Sequence, residues 1–233
     1  LTGPFAHCGI RWGLTGTVPK ADYEFMGLKC SIGEVSNRIQ ASELQDKGVL
    51  ANCHVNVLQT QDHPQFKTYA EELKWLTTDK VRMEWVANTI KDISSSGNTL
   101  ILVDRISAGK ILEEQIDEAV FVSGSTKNID RKEQYDEVST ATNKIIIATY
   151  GVASVGINIP RIFNLVLIEP GKSFVRVIQS IGRGIRKAED KDKVQIWDIT
   201  SSCKFAKRHL TQRKKFYKEA NYPYNIEKIN YEN

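Results

Sequence analysis

From residue 99 onward the sequence alternates between short apolar runs and stretches of helical period, and this alternation leaves few folds open. Apolar runs of strand length fall at 99–103, 119–122, 144–148 (with three consecutive isoleucines), 165–168 and 194–199. Between them, apolar residues recur at helical spacing over 106–116, 129–138 and 173–186. Strands and helices in repeated succession need crossover connections, which are right-handed and build a parallel sheet with helices on both faces. The expected fold class is therefore α/β, a doubly wound parallel sheet. Ligands of such sheets sit beyond the carboxyl ends of the strands, so the loops after 103, 122, 148 and 168 should share one functional edge.

Upstream, 53–59 alternates Val55 and Val57 with polar neighbours, the pattern of a strand with one exposed face. Residues 64–95 carry two helical stripes, Phe66, Tyr69, Ala70, Leu73, Leu76 and then Val81, Trp85, Val86, Ile90, Ile93. Thr78 or Asp79 is placed to cap the second helix, and 94–97 to stop it. Trp75 and Trp85 at helical spacing read as core rather than as platforms for stacked bases. Residues 21–50, with Gly27, Gly33 and Gly48, read as one or two short helices passing between domains, with Ser42 a candidate cap. At 11–19 a short apolar run ends in Thr15, Gly16, Thr17 and Pro19, which reads as a strand entering a loop with exposed hydroxyls.

The residues that bear on chemistry lie in the expected edge loops and in the helix at 173–186. In that helix Phe174, Val177, Ile178, Ile181 and Ile185 form the apolar stripe, while Gln179, Arg183 and Arg186 fall within about 60° of one another on the opposite face. Gly182 and Gly184 each cost about 1 kcal/mol relative to Ala in a helix, which suits a backbone that something must approach. Two forked, permanently charged donors are suited to phosphate; a solvated helix face is the bland reading. The loop at 149–160 packs Gly151, Gly156, Thr149, Ser154 and Asn158 between a buried strand and Pro160. After the first strand of the alternation come Asp104 and Arg105, and after the second Ser123, Gly124, Ser125 and Thr126, small residues able to approach a phosphate backbone or simply to make turns.

These residues resemble a known set. Gln179 to Arg186 has the form Q-x-x-G-R-x-x-R, motif VI of the superfamily 2 helicases, and 149–160 resembles their motif V, with Asn158 where an acid is frequent. The G-L-T-G-T at 13–17 resembles motif III in the form of the branch-migration and repair helicases, and the loops at 104–105 and 123–126 resemble motifs IV and IVa. The resemblance spans about residues 11–200 and implies the second RecA-like domain of such a motor. It assigns Arg183 and Arg186 to the γ-phosphate of ATP, Gly156, Asn158 and Gln179 to the nucleotide side, and Arg105, Ser123, Gly124 and Thr149 to a nucleic acid backbone. Thr15 and Thr17 fall in the segment that couples nucleotide state to domain movement. Ser180 stands where many relatives carry another Arg, which removes one contact, and an amide at Asn158 cannot act as a base. Gln179 stands where the DEAD-box RNA helicases carry His, which favours DNA as the track: single strands, forks, branched junctions, and RNA–DNA hybrids.

Composition limits the remaining classes. A chain of 233 residues, 41% hydrophobic and 26% charged, with a net charge of +4, is ordinary for a globular protein, and the mild charge permits nucleic acid contact without arguing for it. Cys8, Cys30, Cys53 and Cys203 are scattered without metal-ligand spacing, which reads as reduced thiols and no bound metal in this chain. No apolar run of membrane length and no signal peptide occurs, so a cytoplasmic setting and no membrane partner are expected, and the resemblance implies a context of phage or bacterial type. No G-x-x-x-x-G-K-[ST] occurs and the first residue is Leu1. The expectation is a piece of a larger protein whose upstream RecA-like domain binds most of the ATP and Mg2+, this chain being inactive alone. Its parts would be 1–20, the end of that first domain; 21–50, a linker; 51–200, the second RecA-like domain; and 201–233, a basic helix and tail. In the last part Lys204, Lys207, Arg208, Arg213, Lys214, Lys215 and Lys218 are interleaved with Phe205, His209, Phe216 and Tyr217. They fit either a salt-dependent nucleic acid contact or a solvated helix docked by its aromatics. Two other classes stay open: a translocase that moves on duplex DNA without unwinding it, and a non-catalytic nucleic acid binding module.

Overall fold

The computed structural model describes residues 3, 7–14, 22–39, 43, 52–124, 142–154, 161–171 and 193–231. The helices expected at 129–138 and 173–186, the cap at Ser42, and the candidates Thr15, Thr17, Ser125, Thr126, Gly156, Asn158, Gln179, Arg183 and Arg186 lie outside the described residues. The chain forms two compact units, 1–40 and 41–233.

In the first unit, α1 (Asp22–Ile32) has Asp22 and Glu24 in its first turn and Lys29 in its last, the arrangement that complements the helix dipole. Gly33 closes it at φ 113°, a conformation open to glycine, with its N–H donating to the Lys29 carbonyl at 2.9 Å. The strand expected before Thr15 is not formed. Residues 11–14 are irregular and Trp12 and Leu14 are 87% and 98% exposed, because a strand needs an edge to pair with and the described residues of this unit contain none.

The second unit runs β1 (Asn52–Thr60), α2 (Tyr69–Leu76), α3 (Lys80–Ser94), β2 (Thr99–Val103), α4 (Ile106–Gln115), β3 (Ala119–Val122), β4 (Ile145–Thr149), α5 (Tyr150–Ser154), β5 (Asn164–Ile168), β6 (Lys193–Ser201), α6 (Lys204–Glu219) and β7 (Tyr224–Ile229). Among the described residues the strands form one sheet in the order β3-β4-β2-β5-β6-β1-β7, every pairing parallel. Strand alternation sends Leu100, Leu102, Ile146, Ala148, Leu165, Leu167, Val194 and Ile196 to one face, under α5 and α6. Ile101, Val103, Ile145, Ile147, Val166, Ile168 and Ile199 go to the other face, under α3 and α4. Burial on both faces explains why the central strands read as continuous apolar runs.

Local signals place the helices. Thr68 and Glu71 form a reciprocal capping box on α2, and Asp79 caps α3 by accepting from the Arg82 N–H at 3.0 Å. The buried stripe of α3 is Met83, Val86, Ala87, Ile90 and Ile93. Val81, assigned to that stripe from the sequence, is 56% exposed, since at 100° per residue it lies about 160° from Met83. Trp75 packs on Phe66 with centroids 5.8 Å apart and Trp85 stacks on Tyr231 at 5.8 Å, both half-buried. On α4, Gly109 is where the helix meets the sheet, and a Cβ there would overlap the Phe121 ring. β7 was not expected: its polar residues conceal a strand that pairs with β1, and Glu227 and Lys228 guard the open edge.

Candidate functional site

Strand register lines up the edge loops. Val103 pairs with Thr149, and Val122 with Ala148. Ser123 and Gly124, Thr149, then Asp104 and Arg105 therefore follow one another along the carboxyl edge, across β3, β4 and β2. At about 4.8 Å between neighbouring strands, they span about 10 Å. Thr149 Oγ1 accepts from the Val152 N–H at 3.4 Å and caps the short α5; a hydroxyl that accepts one bond keeps its proton for another acceptor. Arg105 is half-buried and donates from Nη2 to the Ala70 carbonyl at 3.3 Å, tying the loop after β2 to the start of α2. Ser123 is buried, while Gly124 is exposed with open space where a Cβ would stand. The fold thus gathers Arg105, Ser123, Gly124 and Thr149, separated in sequence by up to 44 positions, on half of one edge. Hydroxyls, a guanidinium and an unobstructed glycine in a row can receive an extended anion.

The other half of the edge, at β5, β6 and β1, holds buried charge that the sequence reading did not single out. Arg82 on α3 is fully buried and donates from Nη2 to Glu169 Oε1 at 2.6 Å and from Nη1 to the Leu76 carbonyl, with Nε 3.6 Å from Asp62. Asp62 also accepts from the hydroxyls of Thr60 at 2.6 Å, Ser201 at 2.5 Å and Tyr231 at 2.5 Å. Two carboxylates facing one guanidinium leave an excess of negative charge. Burial foremost, with Asp62 and Asp198 adding to it, pushes the Glu169 carboxyl up to about 7 against the pull of Arg82 and Arg213. From the opposite face of the sheet, Arg213 on α6 forks onto Asp198 at 2.8 and 2.9 Å and donates from Nη1 to the Pro170 carbonyl at 2.6 Å; Tyr217 adds a 2.8 Å bond to Asp198. Arg213 is 3% exposed and so is not among the cations available to a nucleic acid, as its place in the basic cluster had suggested. Two guanidiniums from two sides therefore hold the consecutive residues Glu169 and Pro170, which precede the segment containing Gln179, Arg183 and Arg186 in sequence.

Between the two halves stands Tyr69, whose ring lies edge-on to His209 at 4.9 Å and 6.3 Å from Phe205. Burial, then the charges of Asp104 and Glu169, push its hydroxyl up to about 12. Glu72, 1% exposed, accepts from the Phe205 N–H at 3.1 Å and the Ala206 N–H at 2.7 Å, capping α6, whose own N-cap Cys203 supplies no side-chain bond. A signal for part of this network was present in the sequence: Asp198 shares strand parity with the core residues Val194 and Ile196, and a charge on a buried face requires a partner. Among the described residues no cluster of His, Cys, Asp and Glu could hold a metal ion, and no helix is long and apolar enough to cross a membrane.

Residues 81–188 match the family model of the helicase conserved C-terminal domain. The chain is 27% identical over 221 residues to the ATP-dependent DNA helicase uvsW of Enterobacteria phage T4, covering 90% of this chain and 44% of that protein. It is 29% identical over 213 residues to putative helicase 22 of Sulfolobus islandicus filamentous virus, covering 82% of this chain and 37% of that protein. The crystal structure of T4 UvsW superposes with a TM-score of 0.66 at 25% identity, over 77% of this chain and 42% of that one. The C-terminal domain of the DEAD-box protein Dbp5 shares the fold, with a TM-score of 0.51 at 17% identity over 76% of this chain and 91% of that one. This chain spans less than half the length of both viral relatives. The parallel sheet, its edge loops and these likenesses agree that the chain is similar to a helicase conserved C-terminal domain, whose family model it matches over residues 81–188.

Proposed function

We propose that this chain is the C-terminal motor domain of an ATP-dependent DNA helicase that works on forks, branched junctions or RNA–DNA hybrids, in a cytoplasmic setting. The observation that carries the reading is the contiguity of Ser123, Gly124, Thr149 and Arg105 across β3, β4 and β2, which suits one strand of phosphates laid along the carboxyl edge. ATP and Mg2+ are held mainly by an upstream RecA-like domain. This chain supplies Arg183 and Arg186 to the γ-phosphate, with Gly156, Asn158 and Gln179 on the nucleotide side, and Thr15 and Thr17 couple the two sites. A guanidinium fork stabilises the charge that develops as the phosphoryl group transfers, an effect of about 10³ to 10⁵ in rate in GTPases. The hydroxyls and Arg105 at the edge hold the tracking strand while the domains close and open.

The test is ATP turnover by the full-length protein with and without forked DNA. Arg183→Ala is expected to abolish DNA-stimulated turnover while binding persists, and Arg183→Lys to fail almost as badly, because an ammonium cannot supply the fork. Turnover indifferent to Arg183 moves the catalytic arginine elsewhere; no turnover in the wild type favours a binding module. The name of T4 uvsW as a DNA helicase favours unwinding over duplex translocation, and strand displacement on forks separates the two.

A further inference from the structure

The outward face of α6 carries a row of cations. Lys204, Lys207, Arg208, Lys215 and Lys218 are exposed, and at 100° per residue they occupy a sector about 100° wide. Among the described residues none of the five has an ion-pair partner; Lys204 lies over the Phe205 ring at 5.4 Å. Lys204 with Arg208, and Lys214 with Lys218, are like charges one turn apart, each pair costing the helix a few tenths of a kcal/mol. The helix cannot turn to hide the row. Its opposite face, Ala206, His209, Leu210, Arg213 and Tyr217, is buried, Arg213 is forked onto Asp198, and Glu72 grips the first turn.

The row adjoins the nucleic acid edge described above. α6 follows β6 at the carboxyl edge, where Phe205 lies against Tyr69 at 6.3 Å, and the next residue, Ala70, accepts the bond from Arg105. From Lys204 to Lys218 the cations extend about 21 Å along a straight helix, and a duplex presents one phosphate charge per about 1.7 Å of its axis. The cations form two groups on one straight line, Lys204, Lys207 and Arg208 and then Lys215 and Lys218, and a straight line of charge matches a rigid rod better than a flexible strand. We propose that the outward face of α6 is a second nucleic acid contact, which holds the backbone of a duplex arm leading away from the strand-binding edge. It rests on the reading that the chain acts on nucleic acid and adds a site outside the edge loops.

The experiment measures binding of a labelled duplex and a labelled single strand to the full-length protein across a salt series. The variant combines Lys207→Gln, Arg208→Gln, Lys215→Gln and Lys218→Gln. Each lost phosphate contact lowers the slope of log K against log salt by about 0.9 on duplex, so the duplex slope should fall by about 3.6 while the single-strand slope changes by less than about 1. Arg208→Gln and Lys215→Gln, made singly, should each lower the duplex slope by about 1, which keeps the test valid should the combined variant misfold. A duplex slope unchanged in all variants overturns the proposal, as do equal losses on duplex and single strand. If the wild type binds neither nucleic acid, the helicase reading falls as well; if single strands still stimulate ATP turnover while the duplex slope is unchanged, this proposal alone falls.

Discussion

Replacing Arg213 by Met tests how far the buried fork supports the domain. The substitution keeps most of the side-chain volume and removes the two bonds to Asp198 and the bond to the Pro170 carbonyl. Asp198, fully buried, is left, among the described residues, with the Tyr217 hydroxyl. Breaking a buried pair from one side costs about 3–5 kcal/mol because the remaining charge is uncompensated. Urea unfolding followed by circular dichroism should therefore show Arg213→Met destabilised by about 4 kcal/mol at pH 7. Adding Asp198→Asn should recover much of the loss at pH 7, since an amide carries no charge to strand. A loss below about 1 kcal/mol at pH 7, or no recovery on adding Asp198→Asn, would refute the claim that an uncompensated Asp198 charge is the cause.

Glu169 should give the wild type a pH dependence of its own. With its folded pKa near 7, above the ordinary 4.5 of a free glutamate, its contribution to stability is present at low pH and lost as pH rises between those values, by about 2 kcal/mol from pH 5 to 7.5. Glu169→Gln should flatten that slope, and identical pH profiles for the two proteins would show that Glu169 does not titrate in this window. Glu72→Ala removes the acceptor for two α6 amides and should cost about 1–3 kcal/mol. Hydrogen exchange should show the loss in the first turn of α6, and faster exchange confined to α2 would contradict the capping role.

The sequence alone determined the sheet and the composition of its edge. Runs such as Leu100 to Val103 and Ile145 to Ala148 are apolar on both faces because both are covered, and their alternation with helical stripes allows little but a parallel sheet. The cap of α3 was legible because it is local: Asp79 acts within three residues of itself. The tertiary structure decided what depends on partners far apart in the chain. Whether Arg213 faces solvent or Asp198 depends on the rotation of α6 against β6, to which a cluster of lysines and arginines in the sequence is indifferent. The strand Tyr224–Ile229 depends on an open edge of β1 about 170 residues away rather than on its own polar composition. The sharing of Glu169 and Pro170 between guanidiniums on opposite faces depends on packing both helix layers at once. Local pattern records which residues a chain buries; the pairing of buried charges is long-range and of low sequence periodicity, so it becomes visible only when the layers are assembled.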